Sequence, residues 1–147
     1  MDKINLQNKT KALSAVIESY WFENESIGLE KTLFHKISIP LEPFDSGLDY
    51  EEQPLETLIV CDWYKLELSN PENLDGIDMN HDIYTDAEAS VYVGCAHNWC
   101  HVKKLSLELI SPSTYQISGE LLVEFENEGV GENEPFNFTT VATYAKA

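Results

Sequence analysis

The segment CAHNWCH, residues 95–101, places two cysteines, two histidines and a tryptophan within seven positions. Thiolates and imidazoles are the ligands that zinc prefers, and a cysteine close to a histidine is also the pair that nucleophilic catalysis uses. A zinc site here would take its ligands from Cys95, His97, Cys100 and His101. The spacing argues against it, because common zinc sites draw their ligands from two separated pairs, and four ligands this close reach one ion only with strain.

Two further hypotheses use the same thiols. A catalytic Cys100 would need a base, but His101 is its neighbour and points to the opposite face of a strand, which leaves His97 or His81 as the base. A disulfide between Cys95 and Cys100 is geometrically possible across a hairpin. A reducing cytoplasm would disfavour that disulfide in the cell.

The interpretation that we favour for this segment is structural. If the hairpin pairs Cys95 with Cys100, the four residues between them form its loop. Cys95 then ends the inward face of its strand, and Trp99 covers the edge of the core. An exposed Trp99 at such a tip would also suit an interface, where tryptophan is a frequent anchor. We therefore predict no metal, no cofactor and no catalytic residue, and keep Trp99 as a candidate for partner binding.

The elements around this segment predict an α+β fold. Residues 10–22 carry apolar side chains at helical spacing, which indicates an amphipathic N-terminal helix. Residues 33–39 and 57–69 are rich in β-branched and aromatic residues and predict strands. From residue 89 onward, alternating apolar and polar residues predict an antiparallel meander, with Tyr115, Ile117, Leu121, Val123 and Phe125 pointing inward. We expect one domain over residues 1–147, with the helix packed on a mostly antiparallel sheet of five to six strands that is either open or a half-barrel.

The net charge is the most pronounced property of the composition. Asp and Glu total 26 against 9 lysines and no arginine, which gives a formal net charge of −17. A chain this acidic repels nucleic acid and anionic membranes, and it attracts basic partners at long range. Three segments carry six acids each and no base: 42–56, 72–88 and 120–134. Acidity also favours solubility, so the charge predicts a class of partner without locating its site.

The N-terminal residues lack the features of an export signal. They contain neither an apolar stretch of the required length nor a small-residue cleavage site. The chain has no run of 18 or more apolar residues that would span a membrane. The three cysteines, Cys61, Cys95 and Cys100, are an odd number, which argues against a disulfide framework. We therefore expect a cytoplasmic protein.

Two of the acidic segments are predicted to be loops. Residues 40–56 contain three prolines and a glycine, and loops of this length are often binding elements. Residues 70–88 form a second polar loop, which begins the spacing of a calcium loop but lacks its later glycine and glutamate. The candidate partner-binding residues in these loops and at the hairpin tip are Asp45, Asp49, Tyr50, Glu51, Glu52, Asp75, Asp78, Asp82 and Trp99.

A small, acidic α+β domain with acid-rich loops and no assembled catalytic motif resembles the bacterial immunity proteins of polymorphic and contact-dependent toxin systems. This resemblance in size, charge and class implies a cytosolic protein that is not an enzyme and that neutralises a basic toxin domain, such as a nuclease. Its carboxylates would pair with the toxin's lysines and arginines. One alternative is a DNA mimic that blocks a defence protein, for which Glu120, Glu124 and Glu126 supply a short row of carboxylates. The other is a small-ligand-binding or enzymatic α+β domain.

Overall fold

The computed structural model describes residues 2–145, which form a closed barrel of seven β-strands. The strands are β1 (Ala15–Asn24), β2 (Leu29–Pro40), β3 (Leu58–Tyr64), β4 (Glu88–Val93), β5 (Ala96–Ser111), β6 (Thr114–Val123) and β7 (Glu134–Tyr144). A short helix, α1 (Leu6–Lys9), precedes them, and two 3-10 turns lie at Glu25–Ile27 and Phe125–Glu128. Each strand pairs antiparallel with the next one along the chain.

The strand pair that closes the barrel is parallel because the meander has an odd number of strands. Successive strands alternate in direction, so β1 and β7 run the same way, and they pair from Ala15↔Ala142 to Ile17↔Tyr144. Closure removes the two edges that an open sheet would expose. Residues 18–34 extend beyond this closure as a hairpin in which β1 and β2 pair with each other, and we call them the β1–β2 arm.

The inside of the barrel is a packed core of side chains from all seven strands. The predicted inward face of β6 is confirmed, since Tyr115, Ile117, Leu121 and Val123 are all buried. Other large side chains that are fully buried include those of Tyr64, Phe125 and Phe136. A core filled in this way positions the outer face of every strand, including that of β5, on which Trp99 lies.

The predicted N-terminal helix over residues 10–22 is wrong, and the α+β fold class is wrong with it. Most of these residues form β1, and α1 is the only α-helix among residues 2–145. Val16, Ile17 and Tyr20 are β-branched or aromatic, so they fit a strand better than their helical spacing indicates. Pairing with β2 and β7 makes this segment a strand, because it places Ile17 inside the barrel and Val16 outside.

None of the helical segments in the described part of the chain is long and apolar enough to cross a membrane.

Where a strand extends beyond the end of its neighbour, side chains from other segments bind its unpaired backbone groups. The pairing of β4 with β5 ends at Ser90↔Trp99, so the later amides on that side of β5 need other partners. Residues 75–81 run beside β5 and provide them. Three side chains accept hydrogen bonds from β5 amides: Asp75 from Leu109 at 2.8 Å, Asp78 from Leu105 at 2.9 Å, and His81 from Val102 at 3.0 Å. This segment therefore completes the sheet in place of a regular strand.

The N-terminal segment covers the outer edge of β7 by the same means. The side chain of Gln7 accepts a hydrogen bond from the amide of Asn137 at 2.7 Å and donates one to its carbonyl at 2.9 Å. The buried carboxylate of Glu134 accepts hydrogen bonds from the amides of Asn5 and Leu6. The short helix α1 is therefore held against the edge of β7 and does not pack on a sheet face.

We expect Asp78→Ala to lower the free energy of unfolding by about 1–3 kcal/mol, because the buried amide of Leu105 loses its acceptor. Urea denaturation followed by circular dichroism measures this change. The matched control is Asp86→Ala, which removes an exposed carboxylate from the same connection and should change stability by less than about 0.5 kcal/mol. Equal effects of the two substitutions would show that the hydrogen bond from Leu105 does not stabilise the sheet.

Candidate functional site

The segment 95–101 is almost entirely strand. Gly94 and Cys95 alone connect β4 to β5, with φ angles of 69° and 58°. Positive φ at both positions is characteristic of a two-residue hairpin turn. The predicted four-residue loop between a paired Cys95 and Cys100 is therefore wrong. The residues after Cys95 belong to β5 and alternate between the inside and the outside of the barrel.

This alternation separates the four candidate metal ligands. Cys100 points into the barrel and is buried, whereas His97 and His101 lie on the outer face with Trp99 between them. Cys95 is exposed in the turn. Across residues 2–145, no three histidine, cysteine or acidic side chains come together in a way that would hold a metal ion. The same alternation separates the Cys100 thiol from the outward imidazoles that were considered as its catalytic base.

The thiols differ sharply in their environment. Cys61, Cys95 and Cys100 are all free, so the hypothetical disulfide between Cys95 and Cys100 is not formed. Cys61 and Cys100 are both inside the barrel, where burial raises the pKa of Cys61 to about 12 and also raises the pKa of Cys100. Thiols of this kind stay protonated near neutral pH and react slowly. The exposed Cys95 is the one thiol of the three that solvent reaches.

Aromatic and imidazole rings line the outer face of the β4–β5 hairpin. The rings of Tyr92 and His97 meet edge to face, with 4.9 Å between their centroids. The ring of Trp99 stacks on that of His81 at 5.2 Å, and His81 lies 5.6 Å from the ring of His101. His81 comes from the segment beside β5, so this segment and the hairpin together contribute two groups of rings, Tyr92 with His97 and Trp99 with His81 and His101.

Several large side chains on this surface are open to solvent. Tyr92 is 41% exposed, Trp99 is 36% exposed, and Leu58 on the neighbouring β3 is 41% exposed. Exposed aromatic residues grouped on adjacent strands are typical of protein contact surfaces. We call this surface the hairpin face and define it by Leu58, Tyr92, His97, Trp99 and His101. Two acidic residues adjoin it: Glu88, which is exposed on β4, and Glu124, whose amide donates to the Trp99 carbonyl at 2.8 Å.

The first acidic loop contacts the turn of the same hairpin. The carboxylate of Glu51 accepts hydrogen bonds from the Gly94 amide at 2.7 Å and from the Ser46 hydroxyl at 2.8 Å. Glu51 is only 8% exposed, so it holds the loop on the barrel and faces solvent little. The hydroxyl of Tyr50 also lies beside Gly94. The remaining predicted residues of this loop are exposed: Asp45, Asp49, Tyr50 and Glu52.

The predicted residues of the second acidic loop have two different roles. Asp75 and Asp78 bind the amides of β5 and thereby build the sheet. Asp82 is exposed, and it follows His81, whose ring stacks on Trp99. The structure therefore brings the 45–52 loop, Asp82 and Trp99 to one hairpin. It places Asp75 and Asp78 farther along β5.

Tyr92 and Leu58 belong to this surface but were not predicted from the sequence. Both are outward residues of strands in which their neighbours, Val91 and Ile59, point into the core. A large apolar side chain at a position that alternation assigns to solvent was the available signal. The carboxylate row considered for a DNA mimic is not formed on one strand, because β6 ends at Val123 and the acids that follow lie at a 3-10 turn.

His81 is held in one tautomer by the sheet. Its Nδ1 accepts the Val102 amide hydrogen, so in the neutral ring the proton lies on Nε2. This Nε2 is buried and has no hydrogen-bond partner among the described residues. Because Nε2 carries the proton, it offers no lone pair to a metal ion. Burial, followed by the neighbouring His101, holds the pKa of His81 below its usual value of 6.5.

The chain matches no protein-family model, and comparisons with curated proteins and with solved structures give no match either. The hairpin face offers rings, and the carboxylates of Glu88 and Glu124 adjoin it.

We expect an aromatic disulfide reagent to titrate one thiol per chain under native conditions and three in denaturant, as followed by absorbance. Cys95 is exposed, whereas Cys61 and Cys100 are buried with raised pKa values. Cys95→Ser should abolish the rapid reaction, and Cys100→Ser should leave it unchanged. Two rapidly reacting thiols in the native wild-type chain would contradict the placement of Cys100 inside the barrel.

We expect the free energy of unfolding to decrease in acid because His81 binds a proton more weakly in the folded chain than in the unfolded chain. Because the pKa of His81 is lower in the folded chain, the unfolded chain binds more protons once the pH falls below about 6.5. Folding is therefore weakened as the pH drops from there through the folded pKa. His35, whose pKa burial also lowers, acts in the same direction.

Denaturation of the wild-type chain and of His81→Asn between about pH 7.5 and about pH 5 isolates the contribution of His81. The asparagine retains an acceptor for the Val102 amide, and changes at the carboxylates affect both chains alike. The stability difference between the two chains should shift in favour of His81→Asn as the pH falls. A difference that is constant with pH would contradict the lowered pKa.

Proposed function

We propose that this chain is a binding protein that neutralises a basic protein partner, and that the partner contacts the hairpin face. The mode of action is that of an immunity protein bound to a toxin domain. The single observation that carries the proposal is the grouping of exposed rings and carboxylates on one hairpin, which is joined to both flanking acidic loops.

The negative charge of the chain is largely available to a partner. Ion pairs between lysines and carboxylates in residues 2–145 are Lys11–Glu42, Lys36–Glu18 and Lys65–Glu67, at 3.5, 3.7 and 3.9 Å. These pairs engage three of the 26 acidic residues. Their summed potential attracts cationic surfaces and accelerates association.

The rings of the hairpin face supply apolar contact area that would lengthen the lifetime of a complex. Contacts between surface charges weaken with salt and contribute little to the lifetime of a complex. Burial of Tyr92 and Trp99 under a partner would remove apolar area from water and slow dissociation. Asp82, Glu88 and Glu52 lie in the surrounding segments, where carboxylates can meet lysines and arginines at the rim of an interface.

Neutralisation in this way requires no reaction by this chain. Basic residues that hold nucleic acid in a nuclease are also the residues that a carboxylate-rich surface attracts. Covering them blocks the substrate. The proposal therefore assigns binding to the hairpin face and catalysis to the partner.

The partner can be isolated by immobilising the chain, applying lysate of its source strain and eluting with a salt gradient. A retained basic protein must then be purified and shown to bind in a defined stoichiometry. Its own activity must be inhibited by the chain. Loss of binding near 1 M salt, where charges are screened beyond about 3 Å, is expected for association led by charge. If the immobilised chain retains no basic protein from a lysate that has been freed of nucleic acid, the proposal is contradicted.

We expect Trp99→Ala to weaken the isolated complex by about 2 kcal/mol, which is about thirtyfold in Kd, because a buried aromatic anchor is lost. Tyr92→Ala should act in the same direction. Calorimetry or surface plasmon resonance measures both. The control is Ile110→Ala, an exposed apolar residue near the far end of β5, which should leave Kd unchanged. Equal affinity of Trp99→Ala and the wild-type chain would remove the hairpin face from the interface.

A further inference from the structure

We infer that the open edge of β1 in the β1–β2 arm binds an extended, basic segment of another protein by β-strand addition. The edge in question covers residues 18–22. This inference concerns a second surface and does not depend on the hairpin face.

The outer half of β1 has a strand on one side only. Pairing with β7 ends at Ile17↔Tyr144, whereas pairing with β2 continues to Asn24↔Leu29. From residue 18 onward, no strand of the described chain pairs with the other side of β1. A strand edge of this kind presents a row of backbone donors and acceptors to any extended chain that reaches it.

The direction in which the amides and carbonyls of β1 point follows from Ile17, the last residue of β1 that pairs with β7. The carbonyl of Ile17 accepts a hydrogen bond from the amide of Ala145 at 2.8 Å, so the groups of Ile17 face away from β2. Backbone direction repeats every second residue in an antiparallel strand. The amides and carbonyls of Ser19 and Trp21 therefore also face the open side. Those of Tyr20 face β2.

Edges of β5 and β7 are covered by other segments of the described chain, whereas both outer sides of the β1–β2 arm lack a strand, since β2 from Leu29 to Phe34 pairs with β1 alone. Gln7 occupies the backbone groups of Asn137 on β7, and the segment 75–81 occupies the second half of β5. Proteins usually cover or block the edge strands of their sheets, because an open edge can pair with another chain. Along residues 18–22 no described strand covers the open side of β1, where the Ser19 hydroxyl forms a hydrogen bond with that of Tyr144, so this edge is a ready place for strand addition.

Trp21 marks this edge as a place for side-chain contact as well. It is 62% exposed and carries the Lys31 ammonium 5.5 Å from its ring centroid. Trp21 also lines a cavity of about 360 Å³ together with Leu33, His35 and Leu68. In strand addition, backbone hydrogen bonds supply affinity and pockets beside alternate residues supply specificity. The cavity next to Trp21 is suited to that second role.

Charge decides between the possible occupants of the edge. A second copy of this chain would bring another net charge of −17 to the same place, which opposes self-association. Glu23 follows the open stretch and favours lysine or arginine on an incoming strand, whereas Glu18, at its start, already lies 3.7 Å from the Lys36 ammonium. Residues 18–22 span about 16 Å, which is enough for several backbone hydrogen bonds. The occupant is therefore a short, extended and basic segment.

The test uses a synthetic peptide of alternating lysine and valine, and the same peptide with N-methyl groups on all of its amides. N-methylation removes hydrogen-bond donors but keeps every charge, so it separates strand addition from general attraction to an acidic protein. Titration is followed in the ¹⁵N-labelled full-length chain by NMR. We expect shifts at Ser19 and Trp21 and slowed exchange of their amides, together with binding at least about tenfold weaker for the methylated peptide.

Two variants test the edge from the side of the protein. Trp21→Pro removes a backbone donor on the open side and spares the bonds to β2, whereas Trp21→Thr removes only the ring. We expect Trp21→Pro to bind the unmethylated peptide at least about tenfold more weakly than Trp21→Thr. Trp99→Ala should bind it as the wild-type chain does, which keeps this result separate from the proposed function.

Four results would overturn the inference: no binding of the unmethylated peptide, equal binding of the methylated peptide, shifts confined to the hairpin face, and equal binding by the proline and threonine variants. Dimerisation of the chain alone that protects the Ser19 and Trp21 amides would also overturn it, since the occupant would then be a second copy. The methylated peptide needs no protein variant, so the test stands even if Trp21→Pro does not fold.

Discussion

The structure depends on one constraint, which is that every buried backbone amide and carbonyl of strands of unequal length needs a partner. Seven strands close into a barrel through three parallel residue pairs between β1 and β7. Beyond the places where strands match, side chains take over, with Gln7 on β7 and Asp78 on β5 as clear cases. The irregular connections are thereby tied to the barrel, and their positions determine which surfaces stay exposed.

The same constraint divides the acidic residues into two groups. Glu51, Asp78 and Glu134 use their carboxylates to bind backbone amides, so part of the acidity serves the fold. Exposed acids such as Asp82 and Glu88 remain for long-range attraction. Fewer carboxylates are therefore available to attract a partner than the composition contains. The rings on the hairpin face add apolar contact area, and the composition alone does not show where these rings lie.

Local pattern was a good guide wherever one face of a strand is buried. The alternation in β6 correctly predicted its inward residues. It failed for residues 10–22, in which helical and strand periodicities coexist and long-range pairing decides. It also failed at Gly94 and Cys95, where a two-residue turn replaces the expected loop. Of the candidate site residues, Trp99 lies on the hairpin face as an exposed ring, whereas Glu51 is buried.

The sequence by itself determined the net charge, the high strand content after residue 89 and the loop character of the two acidic connections, because these follow from composition and local periodicity. Only the tertiary structure decided that the sheet closes, that Cys100 points inward while His97 and His101 point outward, and that no strand among residues 2–145 pairs with the outer edge of β1 beyond Ile17. The physical reason is that strand pairing joins residues far apart in the chain. Which backbone groups find partners is a property of the whole barrel and not of any one segment.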